Sequence, residues 1–300
     1  MRIKALGCLM AFAAVAGCST SGPAVGGHGR LRVVAAENMW GSVAAQLGGI
    51  DADVTSIVAN PSADPHSYEP TSADARAITA ADLVIVNGIG YDPWASRLLS
   101  ASPTPHRLVV DVGGVTRVVV GGNPHQWYDP ASVSRVADAI SAALTRLAPA
   151  AAERFRGLRS TFARVATAKI TSLVNGIRAH YAGVPVGASE SIVAPLIPSV
   201  GLDLRTPARF LAAISEGVDP TAADKAAIDA QIAQHQIAVY LYNSQNATPD
   251  IAVQVAAARS RGIPVVAVTE TLVPAATTYQ DWFVAELETL RAALARATGR

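Results

Sequence analysis

The sequence predicts an α/β protein built from two parallel-sheet lobes that are joined by one long linker helix. Short runs rich in β-branched residues alternate with amphipathic helical stretches, which is the pattern of βα units around a parallel sheet. This alternation stops near the middle of the chain for one long helical stretch and then begins again. With 300 residues, the chain is long enough for two domains of ordinary size.

The first lobe is predicted over residues 31–149. Its strands are expected at residues 32–36, 54–59, 83–87 and 108–112, and its helices at residues 40–47, 72–80 and 131–147. The last of these helices follows Asp129 and Pro130, an acidic N-cap and a proline that suits the first helical position.

The linker helix is predicted over residues 150–180, where only Gly157 and Gly176 interrupt a helical apolar pattern. The recurring apolar positions are Phe155, Leu158, Phe162, Val165, Ile170, Leu173, Val174 and Ile177. At roughly 1.5 Å per residue, such a helix would reach about 45 Å. This length exceeds one small lobe and favours a helix that spans both.

The second lobe is predicted over residues 181–300. Strands are expected at residues 184–188, 237–242 and 263–268, and helices at residues 220–234, 251–261 and 279–295. Ligands of open parallel sheets bind outside the carboxyl ends of the strands. We therefore expect a cleft where the strand ends of the two lobes face each other.

The composition supports a folded protein and argues against nucleic-acid binding. Hydrophobic residues make up 50% of the chain and charged residues 16%, which suits a large buried core. The formal net charge is only +1, from 24 basic and 23 acidic residues, so the chain has no strong field to attract nucleic acid.

The N-terminus predicts export and lipid anchoring. Basic residues, an apolar run and small residues follow one another in residues 1–18, as in a secretory signal peptide. The run ends in Val-Ala-Gly-Cys, which resembles the bacterial lipobox and implies that Cys18 becomes the lipidated first residue of an extracytoplasmic protein. The apolar run is shorter than the ~20 residues of a membrane span. Residues 19–30, rich in Gly and Ser, are expected to form a flexible tether.

Histidines and carboxylates are the candidate metal ligands, because both cysteines of the chain lie in the signal region. His66 and His125 each follow a proline, and a second proline lies a few residues further on in each loop. Proline stiffens these loops before a ligand arrives, which suits metal ligation. Two ordinary surface-loop histidines remain the alternative interpretation.

The two proline-histidine loops resemble the ligand loops of the metal-receptor cluster of ABC-importer solute-binding proteins. The first covers Asp-Pro-His-Ser-Tyr-Glu-Pro at residues 64–70, the second covers Asn-Pro-His-Gln-Trp at residues 123–127, and the resemblance extends over residues 31–298. It implies two lobes bridged by one helix, with the metal between them. It also implies a third ligand after the first strand of the second lobe, where Glu190 lies; a carboxylate that stabilises a helix N-terminus is the alternative there.

The fourth ligand implied by the resemblance is an aspartate before the last helix, and this sequence has Thr277 at the aligned position. Glu270 and Asp281 are the nearby carboxylates. We favour Glu270, because it follows a strand whose end faces the cleft, and a water ligand is the other alternative. Residues 243–245 (Asn-Ser-Gln) end another strand and either orient a carboxylate or form a simple turn.

The predicted function is capture of a divalent metal for an ABC permease and its ATPase. Imidazole and carboxylate ligands suit Zn²⁺, Mn²⁺ or Fe²⁺, with zinc favoured over manganese, and the lack of thiolates argues against Cu(I). A secreted metal-dependent hydrolase or a surface adhesin is the alternative. No His-Glu-x-x-His motif is present, so we expect a monomeric binding protein rather than an enzyme.

Overall fold

The computed structural model describes residues 29–61 and 68–300 and contains two parallel sheets of four strands each. The first sheet contains β1 (Leu31–Glu37), β2 (Ala52–Val58), β3 (Leu83–Val86) and β4 (Leu108–Asp111), in the order β2-β1-β3-β4. The second contains β5 (Pro185–Ala188), β6 (Asp203–Leu204), β7 (Val239–Asn243) and β8 (Val265–Val268), in the order β6-β5-β7-β8. All neighbouring strands are parallel, so the predicted α/β fold with two parallel sheets is confirmed.

Five helices accompany the first sheet within the described residues. They are α1 (Asn38–Gly48), α2 (Ser72–Ala80), α3 (Pro93–Ala101), α4 (Val112–Thr116) and α5 (Pro130–Leu147). Helix α5 begins where the sequence predicts, because the Asp129 carboxylate accepts hydrogen bonds from the backbone N–H groups of Ala131 and Ser132. Helices α3 and α4 were not predicted, and both are short.

The two faces of the first sheet pack into different cores. Val33 and Ala35 point into the main core, whereas Val34 and Ala36 point into a smaller one that also contains Trp94. Successive side chains of a strand point to opposite faces. Strand β1 is therefore buried on both faces, as its continuous apolar run predicts.

The segment between the sheets is helical, but it is not one regular α-helix. Helix α6 (Ala152–Thr161) passes into a π-helical turn (Phe162–Ala166), and helix α7 (Ala168–Tyr181) follows. Val165, one of the apolar residues that recur at helical spacing in this segment, is 69% exposed and does not join the buried face. A π turn contains one more residue than an α turn. The extra residue moves Val165 outward and keeps Ile170 on the buried side.

The helices around the second sheet are α8 (Ile197–Val200), α9 (Ala208–Ser215), α10 (Ala222–Ala233), α11 (Pro249–Ser260) and α12 (Tyr279–Thr298). Strand β6 and helices α8 and α9 were not predicted. Within the described part of the chain, every helix is too short or too polar to cross a membrane.

Helix α12 connects the two halves of the molecule a second time. The backbone N–H of Tyr279 donates to the Ser42 hydroxyl on α1 at 2.9 Å, and the side-chain amides of Gln46 and Gln280 bind each other. The Tyr279 hydroxyl donates to the carbonyl oxygen of Trp127 at 2.7 Å. One hydrophobic core contains residues of both halves, so it marks no boundary between them. The domain boundaries predicted from the sequence therefore stay predictions.

Candidate metal centre

Three side chains of ligand type converge between the two sheets: His125, Glu190 and Glu270. One possible ligand atom from each lies within 4.8 Å of the other two. All three side chains are fully buried. Buried charged groups are normally paired or bound to a metal, so this cluster is the candidate metal centre of the described residues.

The two glutamates occupy equivalent positions at the carboxyl edge of the second sheet. Glu190 lies two residues beyond β5, and Glu270 lies two residues beyond β8. Strand β7 runs between β5 and β8 in the sheet and ends at Asn243. The chain order reverses between β5 and β7, and this is the point in open α/β sheets where ligands bind.

His125 comes from the first half of the molecule and is held by Asn123. The backbone N–H and the Nδ1 atom of His125 both lie 2.9 Å from the side-chain oxygen of Asn123. That oxygen can only accept, so Nδ1 carries the hydrogen and Nε2 carries the lone pair that a metal needs. Nε2 lies 3.8 Å from Oε2 of Glu270. The Asn123 amide also donates to the carbonyl of Ser191 at 2.7 Å, which connects this loop to the second sheet.

Aromatic rings fix the imidazole plane of His125. The rings of Tyr91 and Trp127 make edge contacts with it, at centroid distances of 5.9 and 5.3 Å. The side-chain amide of Asn87 donates to the carbonyl oxygen of Pro124 at 3.0 Å, just before the histidine. The loop that presents His125 is therefore ordered by contacts on both sides of the ring.

Neutral donors bind the four carboxylate oxygens of the cluster. The Asn243 amide nitrogen donates to Oε1 of Glu190 at 2.7 Å and to Oε1 of Glu270 at 2.5 Å. The Asn246 amide donates to Oε2 of Glu190 at 2.9 Å, and the Tyr91 hydroxyl donates to Oε2 of Glu270 at 2.5 Å. Such bonds orient the carboxylates without supplying a compensating positive charge.

Tyr91 acts here as a hydrogen-bond donor. Burial, reinforced by the Glu270 carboxyl beside it, raises the pKa of Tyr91 well above its usual value. The hydroxyl therefore keeps its proton at neutral pH and donates a hydrogen bond to Glu270.

The other predicted positions divide into three groups. His66 and Cys18 lie outside the described residues, so their predicted roles are neither placed nor tested.

Asp281 lies in the first turn of α12, where its carboxylate accepts a hydrogen bond from the Thr278 hydroxyl at 2.7 Å, and this contact makes it part of a helix cap. The backbone N–H of Thr277 donates to the Pro274 carbonyl in the preceding turn. Histidines 106, 180 and 235 are exposed, as expected of surface residues.

Two contributors to the cluster were not predicted. Tyr91 follows β3 and Asn246 follows β7, and both donate to a glutamate of the cluster. Their positions shortly after a strand are the signal that could have identified them. Of the two alternatives for residues 243–245, the contacts of Asn243 favour the carboxylate-orienting one.

A second buried acid pair lies at the carboxyl edge of the first sheet. Glu37 ends β1, Asp92 follows β3, and both are 1% exposed. The Asp92 carboxylate accepts from the backbone N–H groups of Asn87 and Gly88, both at 2.7 Å. Burial, followed by the charge of Asp92, raises the pKa of Glu37 well above its usual value, and burial raises the pKa of Asp92 to about 6. Glu37 therefore keeps its proton to a higher pH than an exposed glutamate does.

Comparisons with known proteins point to metal binding. Two curated relatives are the manganese-binding lipoprotein MntA of Halalkalibacterium halodurans, 31% identical over 151 residues (47% of this chain, 48% of that protein), and the metal ABC transporter substrate-binding lipoprotein SsaB of Streptococcus sanguinis, 32% identical over 132 residues (40% and 42%). The chain thus spans about half the length of the curated relatives it matches, or somewhat less.

The fold is shared with solved structures of periplasmic metal-binding proteins. The periplasmic zinc-binding protein TroA from Treponema pallidum superposes with a TM-score of 0.72, covering 89% of this chain and 99% of that one at 20% identity. Residues 33–293 match the family described as zinc-uptake complex component A, periplasmic, whose members are substrate-binding proteins of ABC importers and not enzymes. Because this match extends over most of the chain, the protein belongs to the zinc-uptake complex component A family of metal-binding substrate-binding proteins.

Proposed function

We propose that this protein captures a divalent transition-metal ion, zinc in preference to manganese, and delivers it to the permease of an ABC importer. The observation that carries the proposal is the convergence of His125, Glu190 and Glu270 in a buried cluster between the two sheets. One imidazole and two carboxylates are a donor set that Zn²⁺ and Mn²⁺ accept.

His66 is the proposed fourth ligand. Its proline-flanked loop matches the loop that presents His125, and the resemblance of that loop to the metal-receptor cluster is the sequence argument for it. With His66, the site would offer two imidazoles and two carboxylates. This is a complete set for a four-coordinate ion, and it would need no water ligand.

Zinc is the preferred cargo for a physical reason. Divalent metals bind a given nitrogen and oxygen site in an order of affinity that places Mn²⁺ lowest and Zn²⁺ well above it. The family is described by zinc uptake and the zinc-binding TroA shares the fold, whereas the relative MntA is named for manganese. Manganese is therefore the natural comparison metal.

A metal-dependent hydrolase is less well supported. Catalytic zinc sites keep one coordination position open for water or substrate and need a general base nearby. Here the cluster is fully buried, and both glutamates are held as neighbouring acceptors by the same amide. This arrangement suits storage of an ion better than turnover of a substrate.

The location and partners of the protein are part of the proposal. Cys18 would carry the lipid that holds a monomeric, extracytoplasmic receptor at the cell membrane, and two of the relatives are named as lipoproteins. Mass spectrometry of the mature protein would detect this lipid, and an unmodified Cys18 would contradict the anchor. The permease, with its ATPase, would then separate the ligands to release the ion.

The test is metal titration of metal-stripped mature protein, with zinc and manganese in separate experiments and elemental analysis of the loaded protein. We expect His125→Ala to weaken zinc binding by at least ~10-fold, because losing a direct ligand costs no less than losing the residue that orients one. His180→Ala, which changes an exposed histidine, is the matched control and should bind as the wild type does.

Thermal unfolding gives an independent measurement. A metal bound only by the folded state adds RT ln(1 + [L]/Kd), about 2.7 kcal/mol at a metal concentration 100 times Kd. If neither zinc nor manganese raises the melting temperature of the wild type, and the titration of His125→Ala equals that of the wild type, the proposed function is wrong.

A further inference from the structure

We propose that Asn243 sets the metal preference of this site by keeping one oxygen of each glutamate away from the ion. The inference rests on the proposed function and assigns to Asn243, a residue that would not touch the metal, the role of a specificity-determining positioning residue. A single amide nitrogen joins the two carboxylates, with Oε1 of Glu190 at 2.7 Å and Oε1 of Glu270 at 2.5 Å.

The orientation of this amide is fixed by its other contacts. The side-chain oxygen of Asn243 accepts from the backbone N–H of Gln245 at 2.9 Å, and the backbone N–H of Asn243 donates to the Ser189 hydroxyl at 3.0 Å. A flipped amide would lose the bond from Gln245 and would place a carbonyl oxygen against two carboxylates. The nitrogen must therefore face the glutamates. The side chain is fully buried, so water cannot replace it easily.

An amide nitrogen in this position controls which oxygens an ion can reach. Its two hydrogens carry partial positive charge and occupy the space between the two Oε1 atoms, and both effects oppose a cation there. Oε2 of Glu270 instead lies on the side of the His125 imidazole, 3.8 Å from Nε2. For Glu270, the oxygen on the side of the ion would thus be Oε2, which accepts one hydrogen bond from Tyr91 and keeps a second lone pair for a metal. We expect Glu190 to offer its Oε2 in the same way, beside the hydrogen bond from Asn246.

The number of available oxygens separates zinc from manganese. Zinc is satisfied by four ligands in a tetrahedral arrangement, whereas manganese is favoured by octahedral sites rich in oxygen. Two glutamates that bind through one oxygen each, together with imidazoles, give a low coordination number. If both glutamates could bind through both oxygens, the site would come closer to what manganese needs.

Asn243 differs in this respect from the other donors of the cluster. Asn246 donates to Glu190 but not to Glu270, and the Tyr91 hydroxyl donates to Glu270 but not to Glu190, among the hydrogen bonds of the described residues. Asn243 is the donor that couples the two carboxylates, so its removal should change the coordination and not only the affinity.

The experiment compares wild type, Asn243→Ala and Asn243→Ser after metal stripping. The dissociation constants for zinc and for manganese are measured by competition with a chelator of known affinity. Loss of a residue that orients a ligand typically costs 10- to 100-fold in metal affinity. We expect a loss of this size for zinc and a smaller one for manganese, so that the ratio of the manganese to the zinc dissociation constant falls by roughly 3-fold or more. Asn243→Ser keeps one donor and should give an intermediate ratio.

A spectroscopic measurement separates coordination from general damage to the fold. Four-coordinate Co²⁺ absorbs visible light more strongly than six-coordinate Co²⁺, so the Co²⁺-loaded Asn243→Ala protein should lose visible absorbance relative to wild type. Gln254→Ala is the control, since it also removes a buried side-chain amide near the second sheet. The Gln254 amide oxygen accepts from the Tyr240 hydroxyl and lies away from the cluster. It should lower the melting temperature without changing the zinc-to-manganese preference.

Equal weakening of zinc and manganese binding, with an unchanged cobalt spectrum, would show that Asn243 has only a structural role. If Asn243→Ala does not fold, the same two measurements on Asn243→Ser decide the question. A wild-type protein that binds neither metal refutes the proposed function. A wild-type protein that binds zinc, with variants that keep the same preference for zinc over manganese, refutes only the role of Asn243.

Discussion

The carboxyl edges of the two sheets have the same topology and opposite chemistry. In each sheet, the chain order reverses between the two central strands. A buried glutamate lies at or just beyond the end of the central strand that comes first in the sequence: Glu37 ends β1, and Glu190 follows β5. The polar residue beside each glutamate differs. Beside Glu37 it is an acid, Asp92, which lies in the segment after β3, and beside Glu190 it is an amide, Asn243, which ends β7.

The partner decides what the glutamate can do. A carboxyl beside another carboxyl in a dry environment keeps a proton, and the pKa of Glu37 is raised by burial and by Asp92 accordingly. A neutral amide donates hydrogen bonds to the carboxylate and does not repel its negative charge. The first edge is therefore neutralised within the protein, whereas the second is suited to receive a cation.

The largest difference between the edges should appear in metal affinity. Glu190→Gln removes an anionic donor and keeps the shape of the side chain, so we expect zinc binding to weaken by at least ~10-fold in a chelator competition. Glu37→Gln makes the same chemical change at the equivalent position of the first sheet and should leave zinc binding nearly unchanged. Similar losses in both variants would mean that the two edges do not differ as described.

The pH dependence of stability should distinguish the edges next. Because the folded pKa of Glu37 lies above the unfolded value, the native state binds more protons than the unfolded state above about pH 4.5. The free energy of unfolding should therefore fall as pH rises from there toward the folded pKa of Glu37, by at most about 1.4 kcal/mol per pH unit. Asp92 adds a fall of the same sign between its usual pKa of 3.8 and about 6.

Glu37→Gln mimics the protonated acid and should flatten this fall. Urea unfolding of metal-free protein at pH 5 and pH 8 measures the change, with Glu153→Gln on an exposed helix surface as the control. Stability that declines between pH 5 and pH 8 by the same amount in Glu37→Gln and wild type would contradict a titrating Glu37.

The smallest effect should come from Asp281, the carboxylate that was an alternative to Glu270. Its role is to accept from Thr278 in the first turn of α12, where a negative charge also interacts favourably with the helix dipole. Asp281→Asn should lower the free energy of unfolding by about 0.5 kcal/mol and leave zinc affinity unchanged. A drop in zinc affinity comparable to that of a Glu270→Gln variant would make Asp281 a ligand.

Much of the fold could be predicted because strand signals are local. Strand β1 was expected at residues 32–36 and spans Leu31–Glu37, and helix α2 was expected and found at Ser72–Ala80. Helices α3 and α9 were missed, since each is only two to three turns long and lies in a segment interpreted as a connection. The π turn was missed because its effect depends on which face of the helix the rest of the protein covers.

The site was predictable where a ligand follows a strand and unpredictable where contacts depend on assembly. Glu190 was selected because the family resemblance implies a ligand after the first strand of the second lobe, and Glu270 because it follows a strand whose end faces the cleft. The structure brings both together with His125. Thr277 entered the argument only through an alignment, and the structure places it in a turn. Tyr91 and Asn246 each follow a strand, but which of the residues after a strand donates to a glutamate of the cluster is decided only by the packing of the loops in the folded protein.

The π turn between α6 and α7 also determines how the chain tolerates changes in length. Its i to i+5 hydrogen bond, from the Thr167 N–H to the Phe162 carbonyl, marks a place where one residue is surplus to a regular helix. A deletion of one residue within this turn would leave α6 and α7 in nearly the same rotational phase. The same deletion inside α7 would rotate the remaining side chains by about 100° around the helix axis and expose Ile177 in place of its neighbours. The connection between the two sheets can therefore shorten by one residue at a single defined place without turning its buried face toward solvent.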